Sequence, residues 1–153
     1  MKGGRISTPP SPYRFAWRAE FSNQSLNVLY AEAFHHAVLD YDWLAQVRGH
    51  SLGWVCAFDA DTLIGFVNVA WDGDDHAFIL DTAVLHRYER QGVGTRLVAL
   101  ASERVRAAGR QWLHVDFDEE GLGRLYFDAC GFRPTIAGLI DLTADAPTIT
   151  SAS

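Results

Sequence analysis

Apolar residues recur along this chain in two rhythms. Leu26, Leu29, Tyr30, Ala33, Phe34 and Ala37 follow spacings of three and four, as do Leu97, Leu100, Ala101, Val105 and Ala108. Each stripe predicts an amphipathic helix. Ser22, Asn23 or Ser25 can cap the first, and Gly109 stands just past the second. A shorter helix opens at Asp40-Tyr41-Asp42, runs through Trp43, Leu44 and Val47, and closes at Gly49. The other apolar runs are compact and bounded by turn residues. Residues 54–58 and 63–71 read as a hairpin around Asp59-Ala60-Asp61-Thr62. Residues 77–84 read as a buried strand and residues 112–117 as another. Residues 13–19 alternate weakly and predict a first strand, with Phe15 and Trp17 sharing a face. Gly65, inside the second hairpin strand, predicts a bulge or a close approach.

In order, these elements give three antiparallel strands, then strand, loop, helix and strand. That pattern predicts an α/β (α+β) domain with a mixed, mostly antiparallel sheet flanked by helices. The 153 residues suit one domain. We expect it to span residues 13–142, between a leader at 1–12 and a loose tail at 143–153. No apolar run reaches the roughly 18 residues of a membrane span, and the polar, proline-rich start is not a signal peptide. Cys56 and Cys130 fit no metal spacing and read as reduced thiols of a cytoplasmic protein. A formal charge of −6 argues against nucleic acid as a partner and suits a cationic amine.

The stretch with the most chemistry is Tyr88-Glu89-Arg90-Gln91-Gly92-Val93-Gly94-Thr95, between a strand end and a helix start. The first turn of a helix has N–H groups without intrahelical partners. Those donors and the helix dipole make an anion site suited to a phosphate or pyrophosphate. No third glycine stands at the Rossmann spacing, and the Gly-Lys-Ser/Thr of a P-loop is missing.

Residues 84–95 resemble the pyrophosphate loop of the GNAT N-acetyltransferases, Arg/Gln-x-x-Gly-x-Gly/Ala. Leu125-Tyr126-Phe127-Asp128-Ala129-Cys130-Gly131-Phe132 resembles that family's later helix, which ends in Gly-Phe. The resemblance covers residues 76–140. It implies a GNAT fold, splayed where acetyl-CoA binds, and acetyl transfer to a primary amine by direct attack in a ternary complex. It places Thr82, Ala83 and Val84 beside the pantetheine and acetyl group. Arg90, Gln91, Gly92, Val93, Gly94 and Thr95 fall at the pyrophosphate. It also makes the helices before the hairpin an acceptor wall, with Tyr30, Phe34, Tyr41 and Trp43 as aromatic candidates. No metal is implied.

Two positions depart from the family pattern. Glu89 occupies the slot usually held by Arg or Gln. Phe127 occupies the slot, four residues before Gly131, where a Tyr commonly protonates the departing thiolate. Phe127 is therefore expected at the cofactor, and Tyr126 could serve as the acid only with a change of helix register. Alkyl ammonium groups titrate near pH 10, so a base is also needed. Strand alternation puts His114 and Asp116 on one face; the resemblance places His114 where several family members carry a Glu acting as base, which makes it the first candidate and Asp116 the second. Asp81, inside an apolar strand, needs a partner if buried, which makes it an outside candidate for the site. The acceptor is open between a small-molecule and a peptide amine. The oligomeric state is open too, with a homodimer among the options. The alternative function is an acyl-CoA-binding sensor or interaction module without catalysis.

Overall fold

Five strands form one sheet: Arg14–Trp17 (β1), Ser51–Asp59 (β2), Thr62–Trp71 (β3), His76–Val84 (β4) and Trp112–Val115 (β5). Their order is β1-β2-β3-β4-β5, antiparallel at the first three junctions and parallel between β4 and β5. The α-helices are Asn23–Ala33 (α1), Trp43–His50 (α2) and Val93–Ala107 (α3). This computed structural model describes residues 11–118 and 120–143. Most of the expected leader and tail lies outside the described residues.

Adjacent residues of β3 show how the layers are built. Phe66 is fully buried and packs edge-on against Tyr30 of α1. Gly65, pointing to the other face, lets α3 come close: a Cβ there would stand 3.0 Å from Leu97 and 3.2 Å from Val93. The close approach expected at Gly65 is thus the seat of α3. Leu26, Leu29, Val47, Leu97 and Val98 close the two layers with almost no exposed surface. Each such side chain contributes about 1.5–3 kcal/mol through burial.

Local capping fixes where the helices begin. The Ser22 hydroxyl accepts the Ser25 N–H at 3.0 Å, and the Asp42 carboxylate accepts the Ala45 N–H at 3.1 Å. Hydrogen bonds from Asn23 and then Ala45 hold the Asp42 pKa below its ordinary value. α1 is one turn shorter than its apolar stripe. Phe34 caps it through an N–H to the Tyr30 carbonyl, and His35 takes a left-handed φ of 57°. Phe34 and Ala37 therefore belong to the loop and not to the helix. α2 runs one residue past Gly49.

Two strand expectations are also modified. β4 is covered on one face only, so Ala77 and Ile79 are buried while Phe78 and Leu80 are exposed. β5 stops at Val115, short of residue 117, because its pairing with β4 ends at Ile79↔Val115. From there β4 continues to Val84 alone on that side. This parting of two parallel strands is the splay expected from the sequence.

Gly53 offers a test of the packing. A Cβ there would lie 2.1 Å from the Trp17 ring, which lies across it from β1. Gly53→Ala should destabilise the protein by about 1–3 kcal/mol, the usual effect of overpacking. Gly49→Ala, inside α2 with nothing within 4 Å, should instead stabilise by about 0.5–1 kcal/mol. Urea midpoints of the two variants moving in opposite directions are the expected result.

Candidate active site

β4 carries one residue too many. Phe66 faces Ala83 and Asn68 faces Leu80, so Val67 alone opposes both Asp81 and Thr82. Such a two-against-one bulge re-aims side chains, and Asp81 takes the left-handed φ of 55° that goes with it. Asp81 then borders the α1–α2 side of the sheet, while Thr82 meets the helical segment after β5.

On the α3 side, the chain leaves β4 through a 3₁₀ turn at His86–Tyr88 and enters α3 at Gly92. Gly92 is the N-cap, with φ 79° and no side-chain cap. A left-handed residue followed by right-handed helix gathers successive N–H groups into an anion-binding concavity, where the helix dipole adds to the attraction. Nothing lies within 4 Å of where a Gly92 Cβ would be, so the approach to these donors is open. Arg90, at φ 60°, and Gln91 precede it. The Gln91 side chain is engaged elsewhere, accepting the Tyr13 hydroxyl at 2.6 Å and donating to the Arg87 carbonyl at 3.2 Å. Gln91 is left with its backbone for any ligand. Glu89 accepts from, or pairs with, His86 Nδ1 at 2.9 Å. Its carboxylate thus has a partner of its own beside the loop.

The segment after β5 resolves the Tyr126 and Phe127 registers. Arg124–Ala129 is wound as a π-helix, and the Cys130 N–H reaches back five residues to the Leu125 carbonyl. The wider turn swings Tyr126 inward. Its ring is buried, stacked on Phe117 at 4.9 Å, and its hydroxyl donates to Thr82 Oγ1 at 3.1 Å. Burial pushes the Tyr126 phenol above its ordinary pKa, with the Thr82 bond opposing. The hydroxyl is therefore protonated at neutral pH. Phe127 packs against Phe117 at 5.2 Å and lines a groove along β5 with His114, Asp116 and Phe117.

On the α1–α2 side lies a half-open cavity of about 190 Å³, lined by Asn27, Tyr30, Phe34, His36, Leu39, Trp43 and Asp81. Buried Asn27 builds it: its amide donates to the Tyr41 carbonyl at 2.9 Å and accepts the Trp43 indole N–H at 3.0 Å. These two bonds fasten the loop between α1 and α2. Tyr30 meets Phe34 at 5.4 Å and Trp43 at 4.8 Å, and Tyr41 packs edge-on behind Trp43 at 4.6 Å. Tyr41 itself does not line the cavity. Burial, and next the charge of Asp81, push the Tyr30 phenol well above its ordinary pKa.

The sequence candidates thus divide. Thr82, Ala83, Val84, the residues 90–95 and Tyr126 gather around the β4 end and the start of α3. Phe34 and Trp43 meet at the cavity on the opposite face. His114 does neither. It is exposed, level with Phe78 on β4, and its Nε2 lies 2.7 Å from His76 Nδ1. Along β4, Phe78 and Thr82 are four residues apart, roughly 13 Å of strand. Asp116 is exposed beyond the end of β5. Asn27 was missed although it interrupts the apolar stripe of α1, where a polar residue on a buried face is a signal in itself. The cavity role of Asp81 depends on the bulge, which sequence spacing does not reveal.

A sequence model of the acetyltransferase (GNAT) family matches residues 13–132. The chain belongs to the GNAT acetyltransferase family. The fold agrees. A GNAT family acetyltransferase from Streptococcus pneumoniae superposes with a TM-score of 0.69 at 22% identity, over 85% of this chain and 97% of that one. An acetyltransferase of Trypanosoma brucei gives 0.71 at 16% identity, over 85% and 99%. AAC(6')-Iy, solved with the bisubstrate analogue CoA-S-monomethyl-acetylneamine, gives 0.66 at 18% identity, over 84% and 96%. No curated protein matches the chain by sequence. Membership of the GNAT family implies acyl-CoA-dependent acetyl transfer. No helix among the described residues is long and apolar enough to cross a membrane.

Asp81 gives this site a pH signature. The residue remains exposed as a whole, yet desolvation at the cavity raises its carboxyl pKa above 3.8. The folded state then binds the proton more tightly than the unfolded state, so this group's contribution to stability falls as pH rises through 3.8 and beyond. Asp81→Asn removes the desolvated charge and keeps a side chain that tolerates left-handed backbone. The variant should melt above the wild type at pH 7. The difference should shrink as the pH is lowered below 3.8.

Proposed function

We propose that this GNAT protein transfers an acetyl group from acetyl-CoA to a primary amine by direct attack in a ternary complex. One arrangement carries the reading: the bulge sets Asp81 at the α1–α2 cavity and Thr82 at Tyr126 where β5 has already parted from β4. A thioester lying in the parting meets α3 donors on one side and the cavity on the other. Acetyl-CoA supplies the activated acyl group, and the chain must hold it, polarise its carbonyl and supply a proton.

The concave turn of residues 90–95 suits the pyrophosphate through backbone N–H groups, with Gly92 leaving the approach clear and Gly94 packed toward Val84 and Leu125. Thr82, Ala83 and Val84 present strand backbone to the pantetheine and acetyl group. An N–H near Val84 directed at the carbonyl oxygen would stabilise the charge that develops there, typically by a few kcal/mol. The Tyr126 hydroxyl, protonated and held at Thr82, is positioned to donate to the departing thiolate. His114 could act as base only through intervening solvent, and Asp116 likewise. Neither cysteine suits a covalent route, which needs a thiolate. Burial pushes Cys56 up to about 12 and also raises Cys130.

The alternative, an acyl-CoA-binding module without catalysis, drew its support from Glu89 and Phe127. Glu89 is paired with His86, and the π-turn brings a tyrosine to Thr82 without Phe127. These two features support the enzyme reading.

Acetyl-CoA at about a hundred times its dissociation constant should stabilise the fold by about 2.7 kcal/mol, and NAD should not. Superimposable melts with and without millimolar acetyl-CoA would end both readings. Gly92→Val should lower acetyl-CoA affinity at least tenfold, by crowding the approach and straining a left-handed position. With a competent amine, Tyr126→Phe should lower kcat by about 10²–10⁴-fold with little change in acetyl-CoA affinity. Phe127→Tyr should not restore the loss in that background. Full activity of Tyr126→Phe at pH 6 to 9 would remove Tyr126 from the mechanism.

A further inference from the structure

The Tyr30 hydroxyl is the one buried side-chain polar atom among the described residues without a hydrogen-bond partner. Tyr30 is only 3% exposed. Leaving such a group unsatisfied costs about 1–3 kcal/mol, and nothing in the packing of α1 requires a phenol there rather than a phenylalanine ring. The ring belongs to the wall of the 190 Å³ cavity. The same wall carries Asp81, whose charge is felt by the phenol. The phenol and the carboxylate thus stand at one small chamber, and its remaining walls are Phe34, His36, Leu39 and Trp43, with Asn27 already committed to Tyr41 and Trp43.

Size and lining together define a ligand. A dry cavity of about 150 Å³ holds benzene. The chamber here therefore admits one ring or a branched alkyl body, with a short chain. A three-ring aminoglycoside is far larger. A cationic head fits best beside a desolvated carboxylate and next to aromatic faces, which attract cations through their quadrupole. We infer that the acceptor site is built for a compact primary amine with a single aromatic or branched apolar body. Asp81 and the Tyr30 hydroxyl hold the ammonium, and Phe34, Leu39 and Trp43 hold the body. This substrate class rests on the acetyl-transfer reading for its consequence, although binding of the amine does not.

The site is opened on one side by the loop of residues 34–42, where Phe34 is 48% exposed and Leu39 55%. Those two side chains have apolar surface to cover when the chamber fills. Their burial against a ring supplies the selectivity over a linear polyamine, which offers charge without an apolar body.

The experiment uses the full chain with phenethylamine, spermidine and kanamycin as probes. Binding of each amine to the free protein is read as a thermal shift at pH 7.5. Turnover is read as thiol release from acetyl-CoA. Phenethylamine should raise the melting temperature in wild type and exceed kanamycin in kcat/KM by at least tenfold, with spermidine between them. Asp81→Asn should abolish the phenethylamine shift and lower kcat/KM at least tenfold while acetyl-CoA affinity is unchanged. Tyr30→Phe and Phe34→Ala should raise KM for phenethylamine about threefold to tenfold with kcat nearly constant. A phenethylamine shift that persists undiminished in Asp81→Asn overturns the assignment, as does kanamycin turnover above that of phenethylamine. If acetyl-CoA fails to bind, the transfer reading falls, and the Asp81-dependent shift alone still decides this one. If acetyl-CoA binds but no amine gives a shift or turnover, the chamber is not an amine site.

Discussion

The site depends on one insertion in a hydrogen-bonded ladder. Where Val67 faces both Asp81 and Thr82, the period-two alternation of β4 is interrupted, and Asp81 borders the α1–α2 cavity while Thr82 meets Tyr126. Were the same residues paired one to one, Asp81 alone would oppose Val67 and every side chain downstream would change faces. Thr82 would lose Tyr126, and the strand end would feed α3 from the wrong side. A left-handed aspartate is an uncommon conformation for a non-glycine residue, and desolvation of its carboxyl adds to the cost. A structure that tolerates both at one residue concentrates strain where chemistry is expected.

The parting of β4 and β5 is the complementary constraint. Parallel strands ordinarily share hydrogen bonds along their length, and here they stop sharing at Ile79 and Val115. Aromatic packing closes the gap further on, through Phe117, Tyr126 and Phe127. The cleft therefore has one wall of strand backbone and one of stacked rings, with a polar contact, Tyr126 to Thr82, across it.

Fold and site differed in how far the sequence revealed them. Elements with a strong period were readable, because burial enforces spacing: α3 lies on its stripe, with Gly109 left-handed just beyond it. The glycine loop was readable since close approach to backbone excludes side chains. What escaped was irregular backbone. α1 ended early at a left-handed His35 that no apolar pattern marks. Counting back from Gly131 along an α-helix reaches Phe127, whereas the wider π-turn delivers Tyr126. Asp81 stood out as a charge in an apolar strand, but the bulge hid where it is placed, and Asn27 looked like an interruption in a stripe although it ties the loop that shapes the cavity. In each case the decisive residue sits where hydrogen bonding departs from its regular repeat, and residue type alone does not encode such departures.

The cavity walls come from residues 27–43 and one carboxylate, whereas the residues at the α3 turn come from 82–95 on the far side of the sheet. The two stretches touch where the His35 ring stacks on His86 at 5.1 Å, but the cavity-lining side chains themselves lie across the strand from the turn at 90–95. Effects of substitutions in one group should then be nearly independent of the other. Such a separation lets descendants of this fold change the molecule they modify, one aromatic wall at a time, while inheriting an intact means of gripping the donor.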